Sequence, residues 1–321
     1  MSILVTGGAG YVGGAVVDHL IEQGEAVVVV DNLSRSPDSA LPPGVPFYQA
    51  DIGDREAIAG IVRDHEIEAC LHFAGLIAVG ESVEQPGLYF EQNVSQTIDL
   101  LDVLATNGVN NVVFSSSAAV YGEPDQIPIT EDHPHRPTSP YGSTKSIVEQ
   151  ILAQYDLTGM IRSVSLRYFN AAGAAPGRSE RHTPETHLIP LAIDAALALR
   201  DPLTVFGTDY DTPDGTAVRD YVHVIDLADA HLRALDYLHG GGATEALNLG
   251  NGEGYSVMQV IESVSRVAGR EVPFEFGARR PGDPPVLVAS ADRARLILDW
   301  VPQHPDLDAI VSSAWASRTP A

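Results

Sequence analysis

Short apolar segments alternate with segments of helical spacing in the first half of this chain, and the alternation limits the fold more than any other feature. The apolar segments, each bounded by turn residues, cover residues 3–6, 26–30, 69–73, 112–115 and 164–168. The helical patterns run from the first glycine-rich turn to Gly24 and over residues 54–65, 87–107 and 141–155. Strands that alternate with helices are typical of βαβ units, whose parallel sheet is covered on both faces. The pattern therefore predicts an α/β fold.

The residue pattern of the sequence changes after Asn170, where the side chains become smaller and more polar. Three later stretches are small or polar and contain turn-forming residues, namely 171–187, 208–221 and 278–288. We predict a Rossmann-like, doubly wound domain of residues 1–169 and a smaller C-terminal α/β domain of residues 170–321. The smaller domain is expected to supply loops over the end of the sheet. Residues 222–238 have a helical pattern, and we expect part of 218–240 to pack back on the first domain.

The charge of the chain argues against several classes of protein. Its 321 residues include 43 acidic and 19 basic side chains, which gives a formal net charge of −24. Nucleic-acid binding and binding to anionic membranes both need basic surfaces, so neither partner is expected. The basic residues are 18 arginines and a single lysine, Lys145. A compositional bias in favour of arginine accounts for the missing lysines. Because Lys145 is present in spite of this bias, it is a candidate functional residue.

The remaining composition indicates a soluble, globular protein of the cytoplasm. One cysteine is too few for a disulfide framework or a cysteine-based zinc site, and no histidine cluster has metal-ligand spacing, so we expect no metal. An apolar content of 44% is too high for a disordered chain. No apolar run of about 18 residues predicts a membrane span. The first residues, MSILVTGG, lack the basic start and cleavage site of a signal peptide.

The turn after the first apolar segment reads GGAGYVGG and spaces Gly7, Gly10 and Gly13 three residues apart. Such a strand-to-helix turn lets the backbone approach a pyrophosphate at the helix N-terminus, although an ordinary βα turn can look the same. The spacing departs from the dehydrogenase pattern G-x-G-x-x-G. The second strand ends in Asp31, whose carboxylate can accept from a ribose 2′-OH and repels a 2′-phosphate. Together these residues favour NAD over NADP.

The second candidate group is Tyr141-Gly-Ser-Thr-Lys145, whose first and last residues share one face of a helix. Free tyrosine has a pKa of about 10 and is a poor base at neutral pH. A neighbouring ammonium, with the positive charge of an oxidised nicotinamide nearby, stabilises the phenolate, so we expect Lys145 and the cofactor together to lower the pKa of Tyr141. With 11 tyrosines and one lysine, a shuffled chain produces this spacing with a probability of about 0.03.

A run of three serines, Ser115 to Ser117, ends the fourth apolar segment. Hydroxyl groups at the carboxyl end of a parallel strand face the crevice in which ligands bind. One of these hydroxyls can hydrogen-bond the reacting hydroxyl of a substrate. Polar strand ends are also common without any such role.

These residues resemble the extended short-chain dehydrogenase/reductase superfamily and, within it, the UDP-glucose 4-epimerases. The likeness extends from Ile3 to about Trp300. It is carried by HFAGLIAVGES (72–82), FSSSAAVYG (114–122), SPYGSTK (139–145), LRYFNAAGA (166–174), DGTAVRDYVHV (214–224) and RRPGDPP (279–285). The resemblance implies an NAD-binding first domain, a UDP-sugar-binding second domain, and a homodimer.

The resemblance also implies a role for each matching residue. The catalytic set is Ser117, Tyr141 and Lys145, with Lys145 also bonding the nicotinamide ribose. The implied NAD site is lined by Gly7, Gly10, Tyr11, Val12, Gly13, Asp31, Asn32, Asp51, Ile52, Phe73, Ala74, Gly75, Asn93, Tyr141, Lys145 and Tyr168. The implied UDP-sugar contacts are Ser117, Tyr141, Asn170, His187, Leu188, Val205, Phe206, Arg219, Arg280, Asp283 and Leu287.

Three positions depart from patterns seen in the family. His187 stands where the family often has an asparagine, and Ile77 replaces a lysine of some members, which leaves the NAD pyrophosphate with one fewer positive contact. Leu287 stands where some members have a tyrosine near the sugar. A smaller residue leaves more room around C2, so N-acetylhexosamines are also expected to fit.

The implied reaction is reversible C4 epimerisation of a UDP-hexose through a transient 4-keto sugar on tightly bound NAD. The alternative is a UDP-glucuronate or UDP-pentose 4-epimerase, since the chemistry at C4 is the same. Ala118 and Ala119 stand where nucleotide-sugar dehydratases and decarboxylases carry acidic residues, which disfavours chemistry at C5.

An alternative of another class is a non-catalytic NAD-dependent regulator. Such a protein has no need of Tyr141 and Lys145, so the presence of these residues disfavours it. The helices predicted over 87–107 and 141–155 are candidates for a dimer interface, and the alternative is that their apolar faces pack only on the sheet.

Overall fold

The computed structural model describes residues 2–35, 41–178, 180, 185–280 and 283–319. Its strands, in chain order, are β1 (Ser2–Thr6), β2 (Val27–Asp31), β3 (Phe47–Gln49), β4 (Ile67–His72), β5 (Asn111–Ser117), β6 (Arg162–Tyr168), β7 (Asn170–Ala172), β8 (Leu203–Phe206), β9 (Val218–Arg219), β10 (Tyr221–His223), β11 (Glu245–Leu249), β12 (Tyr255–Ser256), β13 (Phe274–Gly277) and β14 (Val286–Leu287). Its α-helices are α1 (Tyr11–Glu22), α2 (Arg55–Asp64), α3 (Val79–Glu84), α4 (Pro86–Phe90), α5 (Gln96–Thr106), α6 (Pro140–Leu157), α7 (Leu188–Ala196), α8 (Val224–His239), α9 (Val257–Ala268), α10 (Asp292–Leu298) and α11 (Leu307–Arg318).

Seven parallel strands form the central sheet, in the order β3-β2-β1-β4-β5-β6-β11. The strand order reverses between β1 and β4. In a doubly wound sheet, ligands bind at the carboxyl ends of the strands beside this reversal. The structure therefore confirms the predicted Rossmann-like fold and places the glycine turn after β1 at the expected binding edge.

Alternate residues of each strand pack on opposite faces of the sheet, because successive side chains of a strand point in opposite directions. In β1, Ile3 and Val5 belong to one hydrophobic core and Leu4 belongs to the other. Helices α1, α8 and α10 supply the first core, and α2, α5 and α6 supply the second. Each fully buried Val or Leu contributes about 1.5–3 kcal/mol relative to an exposed one, so these two cores hold the three layers together.

A third hydrophobic core lies among α7, α9 and α11, with side chains of β8 and β10 completing it. Three small sheets accompany this core, ordered β10-β7, β12-β9-β14 and β13-β8. The helix α8, however, packs on α1, and β11 extends the central sheet. Trp300 is 1% exposed and belongs to the core under α1. The division at residue 169 stays a prediction, because segments from both sides of it build the sheet layer.

Two expectations about local structure need correction. The helix expected over residues 87–107 consists of α4, a π-helical turn (Glu91–Ser95) and α5. The stretches expected to be irregular contain the short strands β7, β9 and β14. Strands of two or three residues are too short to show alternation in the sequence, and their partners lie far along the chain. In the described part of the chain, no helix has the length and apolar character needed to cross a membrane.

Candidate active site

The glycine turn after β1 brings the backbone close to several neighbours. Gly7 has a φ of +71°, and a Cβ there would lie 2.6 Å from the backbone N of Ala74. A Cβ on Gly13 would collide with the carbonyl oxygen of Gly7. Helix α1 begins after Gly10, whose position offers no side-chain cap to the first N–H groups of the helix. These uncapped N–H groups are suited to bind a phosphate.

Asp31 ends β2 beside this turn and is 9% exposed. Its carboxylate accepts hydrogen bonds from the N–H of Ala9 at 3.1 Å and of Leu33 at 2.8 Å. Burial raises the pKa of Asp31, and the two backbone hydrogen bonds oppose that rise. The side chain is thus fixed in place with its carboxylate next to the phosphate-binding turn.

A cavity of about 460 Å³ extends from the glycine turn to the serine strand. We call it the cofactor cavity. The predicted residues that line it are Gly7, Gly10, Tyr11, Val12, Gly13, Asp31, Asn32, Ile52, Phe73, Ala74, Gly75, Ser117, Tyr141, Tyr168, Asn170 and His187. A cavity with a glycine turn, an uncapped helix start and a carboxylate at the second strand fits a dinucleotide such as NAD.

Three predicted NAD residues are absent from this lining, and each is hydrogen-bonded to a residue that lines the cavity. Asp51 accepts a hydrogen bond from the amide of Asn32 at 2.6 Å. Asn93 is 4% exposed, and its side chain bonds both the N–H and the carbonyl of Leu76, at 2.7 and 3.0 Å. Asn93 therefore holds the loop after β4 in position. The third residue, Lys145, lies on α6.

Tyr141 and Lys145 lie in the first turns of α6, which starts at Pro140. The hydroxyl of Ser139 caps the helix by accepting from the N–H of Gly142 at 3.1 Å. Tyr141 is 9% exposed and lines the cofactor cavity. Burial raises its pKa, and a hydrogen bond with Ser117 lowers it in part. The net direction is upward in the protein without NAD, and the lowering expected from Lys145 together with a nicotinamide charge stays a prediction.

Lys145 is buried, and its side chain contacts the serine strand as well as Tyr141. It is 3% exposed, and its Nζ donates to the carbonyl oxygen of Ser115 at 2.8 Å. The Nζ lies 5.9 Å from the centre of the Tyr141 ring. Burial lowers the pKa of Lys145 to about 8, and Glu149 opposes the shift. The ammonium is thus held behind the tyrosine, with the carbonyl oxygen of Ser115 as its hydrogen-bond acceptor.

Tyr168 faces the same end of the cofactor cavity from β6. Its hydroxyl is hydrogen-bonded to the hydroxyl of Ser115. Burial raises the pKa of Tyr168, so the phenol stays protonated at neutral pH. Ser117, two residues further along β5, accepts from the N–H of Ala119 at 3.2 Å and caps a 3₁₀ turn (Ala118–Val120).

Of the predicted UDP-sugar residues, Asn170 and His187 also reach the cofactor cavity. Leu188 lines a smaller adjoining cavity of about 30 Å³ together with both of them. Burial lowers the pKa of His187, but the hydrogen bond to Glu185 at 2.8 Å and the charges of Glu180 and Glu185 raise it above its usual value. Ligand atoms of these three residues lie within 4.8 Å of one another, a grouping that their spacing did not indicate.

The other predicted UDP-sugar residues are grouped beyond the cofactor cavity. Arg280 stacks on Phe206, with 4.2 Å between its guanidinium carbon and the ring centre. Arg219 donates to Asp283 at 2.5 Å. The residues Pro281 and Gly282 of the predicted motif RRPGDPP lie outside the described residues. One aromatic side chain and two arginines are chemically suited to a nucleobase and a diphosphate.

Two members of the predicted set are placed differently. Val205 is 1% exposed and packs in the third hydrophobic core, so its side chain is closed to a ligand. Leu287 pairs with Arg219 across β14 and β9. Its side chain packs among residues next to the serine strand, Ala118 and Val120. Leu287 thus connects the arginine group to the catalytic end of the molecule.

Sequence reasoning missed two ion pairs that border the cofactor cavity. Arg35 donates to Glu81 at 2.6 Å, and both residues line the cavity. Arg178 lines it too and pairs with Asp18 of α1. Neither pair has a signal in the sequence, since the partners are 46 and 160 residues apart.

Comparison with known proteins agrees with this geometry. Residues 3–250 match the family described as the NAD dependent epimerase/dehydratase family. The UDP-glucose 4-epimerase of Streptococcus mutans is 49% identical over 320 residues, which cover 98% of this chain and 96% of that protein. The crystal structure of UDP-glucose 4-epimerase from Brucella ovis in complex with NAD is 45% identical, with a TM-score of 0.95 and coverage of 98% and 97% of the two chains.

A further solved structure is UDP-glucose-4-epimerase from Stenotrophomonas maltophila with bound NAD and formylated UDP-arabinopyranose. It is 42% identical, has a TM-score of 0.96, and the match covers 99% of this chain and 98% of that one. These similarities span both the central sheet and the region after Asn170. The chain therefore belongs to the NAD dependent epimerase/dehydratase family.

Proposed function

We propose that this protein interconverts UDP-glucose and UDP-galactose by reversible epimerisation at C4, with NAD held in the cofactor cavity. The observation that carries the proposal is the position of Tyr141. This tyrosine is hydrogen-bonded to Ser117 and opens into the cavity whose other end is the glycine turn. The near full-length identity to UDP-glucose 4-epimerases supports the choice of substrate.

The side chains at the catalytic end each have one task. The Tyr141 oxygen takes the proton of the sugar 4-OH and later returns it. Ser117 hydrogen-bonds the same hydroxyl and fixes its position. The ammonium of Lys145 stabilises the Tyr141 phenolate and bonds the nicotinamide ribose. NAD, when bound, supplies the hydride acceptor and donor for C4, and its positive nicotinamide favours the phenolate that burial opposes.

The UDP part of the substrate has to be bound by a protein that repels it. The formal net charge of −24 disfavours a diphosphate, so local guanidinium groups have to overcome it. Arg219 and Arg280 supply these groups, and Phe206 offers a ring face to the uracil. Arg219 is paired with Asp283 in the structure, so part of its charge is neutralised there. Strong binding of UDP leaves the 4-keto sugar free to turn over between its two faces.

The wider substrate range depends on Leu287. A leucine beside the catalytic end leaves space around C2 of the sugar, so we propose that UDP-N-acetylhexosamines are also accepted. A UDP-glucuronate or UDP-pentose 4-epimerase is the alternative, and it differs only in the group carried at C5. A panel of UDP-sugars distinguishes these substrates directly.

We also propose that the protein is a cytoplasmic homodimer. Apolar side chains are exposed on the helices α3, α4 and α5, including Val83 at 62%, Leu88 at 37% and Ile98 at 38%. A second copy of the chain is the partner that covers them. A cytoplasmic location fits an enzyme whose cofactor and substrate are intracellular metabolites.

The test uses purified protein and UDP-galactose with no added cofactor. Formation of UDP-glucose, followed by NMR, is expected, because the net reaction consumes no NAD. UDP-N-acetylgalactosamine and UDP-galacturonate are tested in parallel. Turnover that requires a supply of added NAD in proportion to product contradicts the epimerase proposal and indicates a net dehydrogenase.

A further inference from the structure

A buried ion pair lies directly behind the catalytic residues. Glu149 follows Lys145 by four residues on α6, so the two share one face of the helix. Its partner is Arg167 of β6, and the side chains of the pair are only 7% and 6% exposed. Arg167 donates from Nε at 3.0 Å to one carboxylate oxygen and from Nη2 at 2.6 Å to the other. This two-point geometry fixes the carboxylate firmly.

The same carboxylate also binds the serine strand. The hydroxyl of Ser116 donates to Glu149 at 2.5 Å. Ser116 lies between Ser115, which accepts from the lysine ammonium, and Ser117, which bonds the catalytic tyrosine. In the strand register Ser116 is opposite Arg167. Glu149 therefore joins α6, β5 and β6 at the point where they present the catalytic groups.

Among the described titratable groups, Glu149 is the one whose negative charge raises the pKa of Lys145. His72 faces the ammonium from β4, and burial together with the charge of Lys145 lowers its pKa to about 3, so it is neutral. Tyr141 is protonated in the protein alone, since burial raises its pKa. Of these groups, only the Glu149 carboxylate favours the charged form of the lysine.

The surroundings of Glu149 contain one strong positive charge, Arg167. His135 lies 3.8 Å from the carboxylate, but burial lowers its pKa and leaves it mostly neutral near pH 7. Tyr121 accepts from Arg167 at 2.8 Å, and burial raises its pKa to about 12. Glu131 is further along this network and accepts from the N–H of Asn248. The charge of Glu149 is thus shared between Arg167 and Lys145.

We propose that Glu149 is a positioning residue of the active site. Its carboxylate holds α6 against the ends of β5 and β6, and its negative charge keeps the Lys145 ammonium charged behind Tyr141. Removal of the Arg167 charge leaves the carboxylate free to act on Lys145 alone. Removal of the Glu149 charge leaves a buried guanidinium that repels the ammonium. The inference rests on the proposed function, because it concerns the group that assists Tyr141.

The single lysine of the chain makes a direct test possible. Lysine labelled with ¹³C and ¹⁵N gives one set of side-chain NMR signals, which belongs to Lys145 because the chain has no other lysine. Its titration midpoint is compared in wild type, Glu149→Gln, Arg167→Gln and the double variant. We expect the midpoint to move to lower pH by about one pH unit in Glu149→Gln and to higher pH in Arg167→Gln, with the double variant between them.

Two controls separate the charge effect from loss of structure. Asp156→Asn removes one acidic charge elsewhere on α6 and is expected to leave the midpoint unchanged. Circular dichroism checks that each variant is folded. If Arg167→Gln does not fold, the titration midpoint of Lys145 in Glu149→Gln tests the proposal by itself. A midpoint that is unchanged in Glu149→Gln, or shifts that have the same sign in the two single variants, overturns the proposal.

Kinetics give a second readout. In Glu149→Gln we expect kcat for UDP-galactose to fall by about tenfold with KM nearly unchanged, and the alkaline limb of the pH profile to move to lower pH. An equal loss of kcat at every pH contradicts the role of the charge. A wild-type protein without epimerase activity overturns the proposed function, whereas the lysine titration still decides the role of Glu149.

Discussion

Asp31 accepts a hydrogen bond from the main-chain N–H of Ala9 across a distance of 3.1 Å. The acid that ends the second strand is therefore tied to the glycine turn that follows the first. The position of the turn and the position of the carboxylate are set together, so a change to either one alters the cofactor cavity as a whole.

Replacement of Asp31 by asparagine tests the choice of cofactor. We expect Asp31→Asn to weaken NAD binding by about 10-fold to 100-fold, because charged hydrogen bonds to the ribose are lost. The preference for NAD over NADP should shrink as well, since the variant no longer repels a 2′-phosphate. Calorimetry with both dinucleotides measures this. Glu25→Gln, an exposed site, is the control, and an unchanged NAD/NADP ratio contradicts the assignment of Asp31.

Loss of the catalytic hydroxyl is tested by Tyr141→Phe. We expect kcat to fall by about 10²-fold to 10⁴-fold, the usual contribution of general acid–base catalysis. The content of bound NAD should stay close to that of wild type, because the ring that lines the cavity is kept. Tyr48→Phe, whose hydroxyl contacts His65 outside the cavity, is the matched control. Turnover like that of wild type in Tyr141→Phe removes this residue from the mechanism.

Lys145→Met tests how much the buried ammonium lowers the free energy of unfolding. Burial lowers the pKa of Lys145 from 10.5 to about 8, so between these values the unfolded chain binds more protons than the folded one. Wild type should therefore gain stability relative to Lys145→Met as pH rises through this window, by on the order of 1–3 kcal/mol. Urea unfolding of both proteins at about pH 7 and about pH 9.5 measures the change. A difference between them that is constant with pH is evidence against a depressed lysine pKa.

Leu287→Tyr tests the space around the sugar. A bulky ring at this position fills the region beside the serine strand, where Leu287 packs. For UDP-N-acetylgalactosamine we expect kcat/KM to fall by about 10-fold to 200-fold, with a much smaller change for UDP-galactose. Leu287→Met keeps the volume and serves as the control. Equal losses for both substrates indicate a general distortion instead of selective exclusion.

Ile98→Glu tests the proposed homodimer. Ile98 is an apolar residue of α5 that is 38% exposed, and a carboxylate there is poorly tolerated within an apolar contact. We expect the variant to elute as a monomer in gel filtration with light scattering, whereas wild type elutes as a dimer. Leu296→Glu changes a residue of α10 that is 84% exposed and should stay dimeric. A wild-type protein that is monomeric at micromolar concentration contradicts the proposal.

The sequence was sufficient to predict five of the seven strands of the central sheet, because strands such as β1, β2 and β4 are apolar runs separated by clear turn residues. The edge strands β3 and β11 were not predicted. The sequence also located Asp31 and Tyr141, since each belongs to a local pattern of glycine turn, strand end or helix face. Such patterns depend on residues close together in the chain, and the structure places both side chains at one cavity.

Other features depend on contacts between distant segments and were beyond a reading of the sequence. Val205 resembles a ligand-contacting residue by position, but its side chain is inside the third core because β8 packs under α7 and α9. The Arg35–Glu81 pair requires two loops to meet. The upward shift of the pKa of Tyr141 depends on how completely its ring is buried, and the periodicity of the sequence does not indicate the extent of that burial.

The edge strand β11 has a consequence for how the chain reaches its folded state. Strand β6 pairs on one side with β5 and on the other with β11, and β7 to β10 come between the two in the chain. During synthesis, β6 is therefore left as an open edge until Glu245–Leu249 has been made. An exposed edge strand is a template for pairing with other chains. The interval before β11 docks is thus the stage at which aggregation competes with folding, and fragments that stop before it should be the ones most prone to associate.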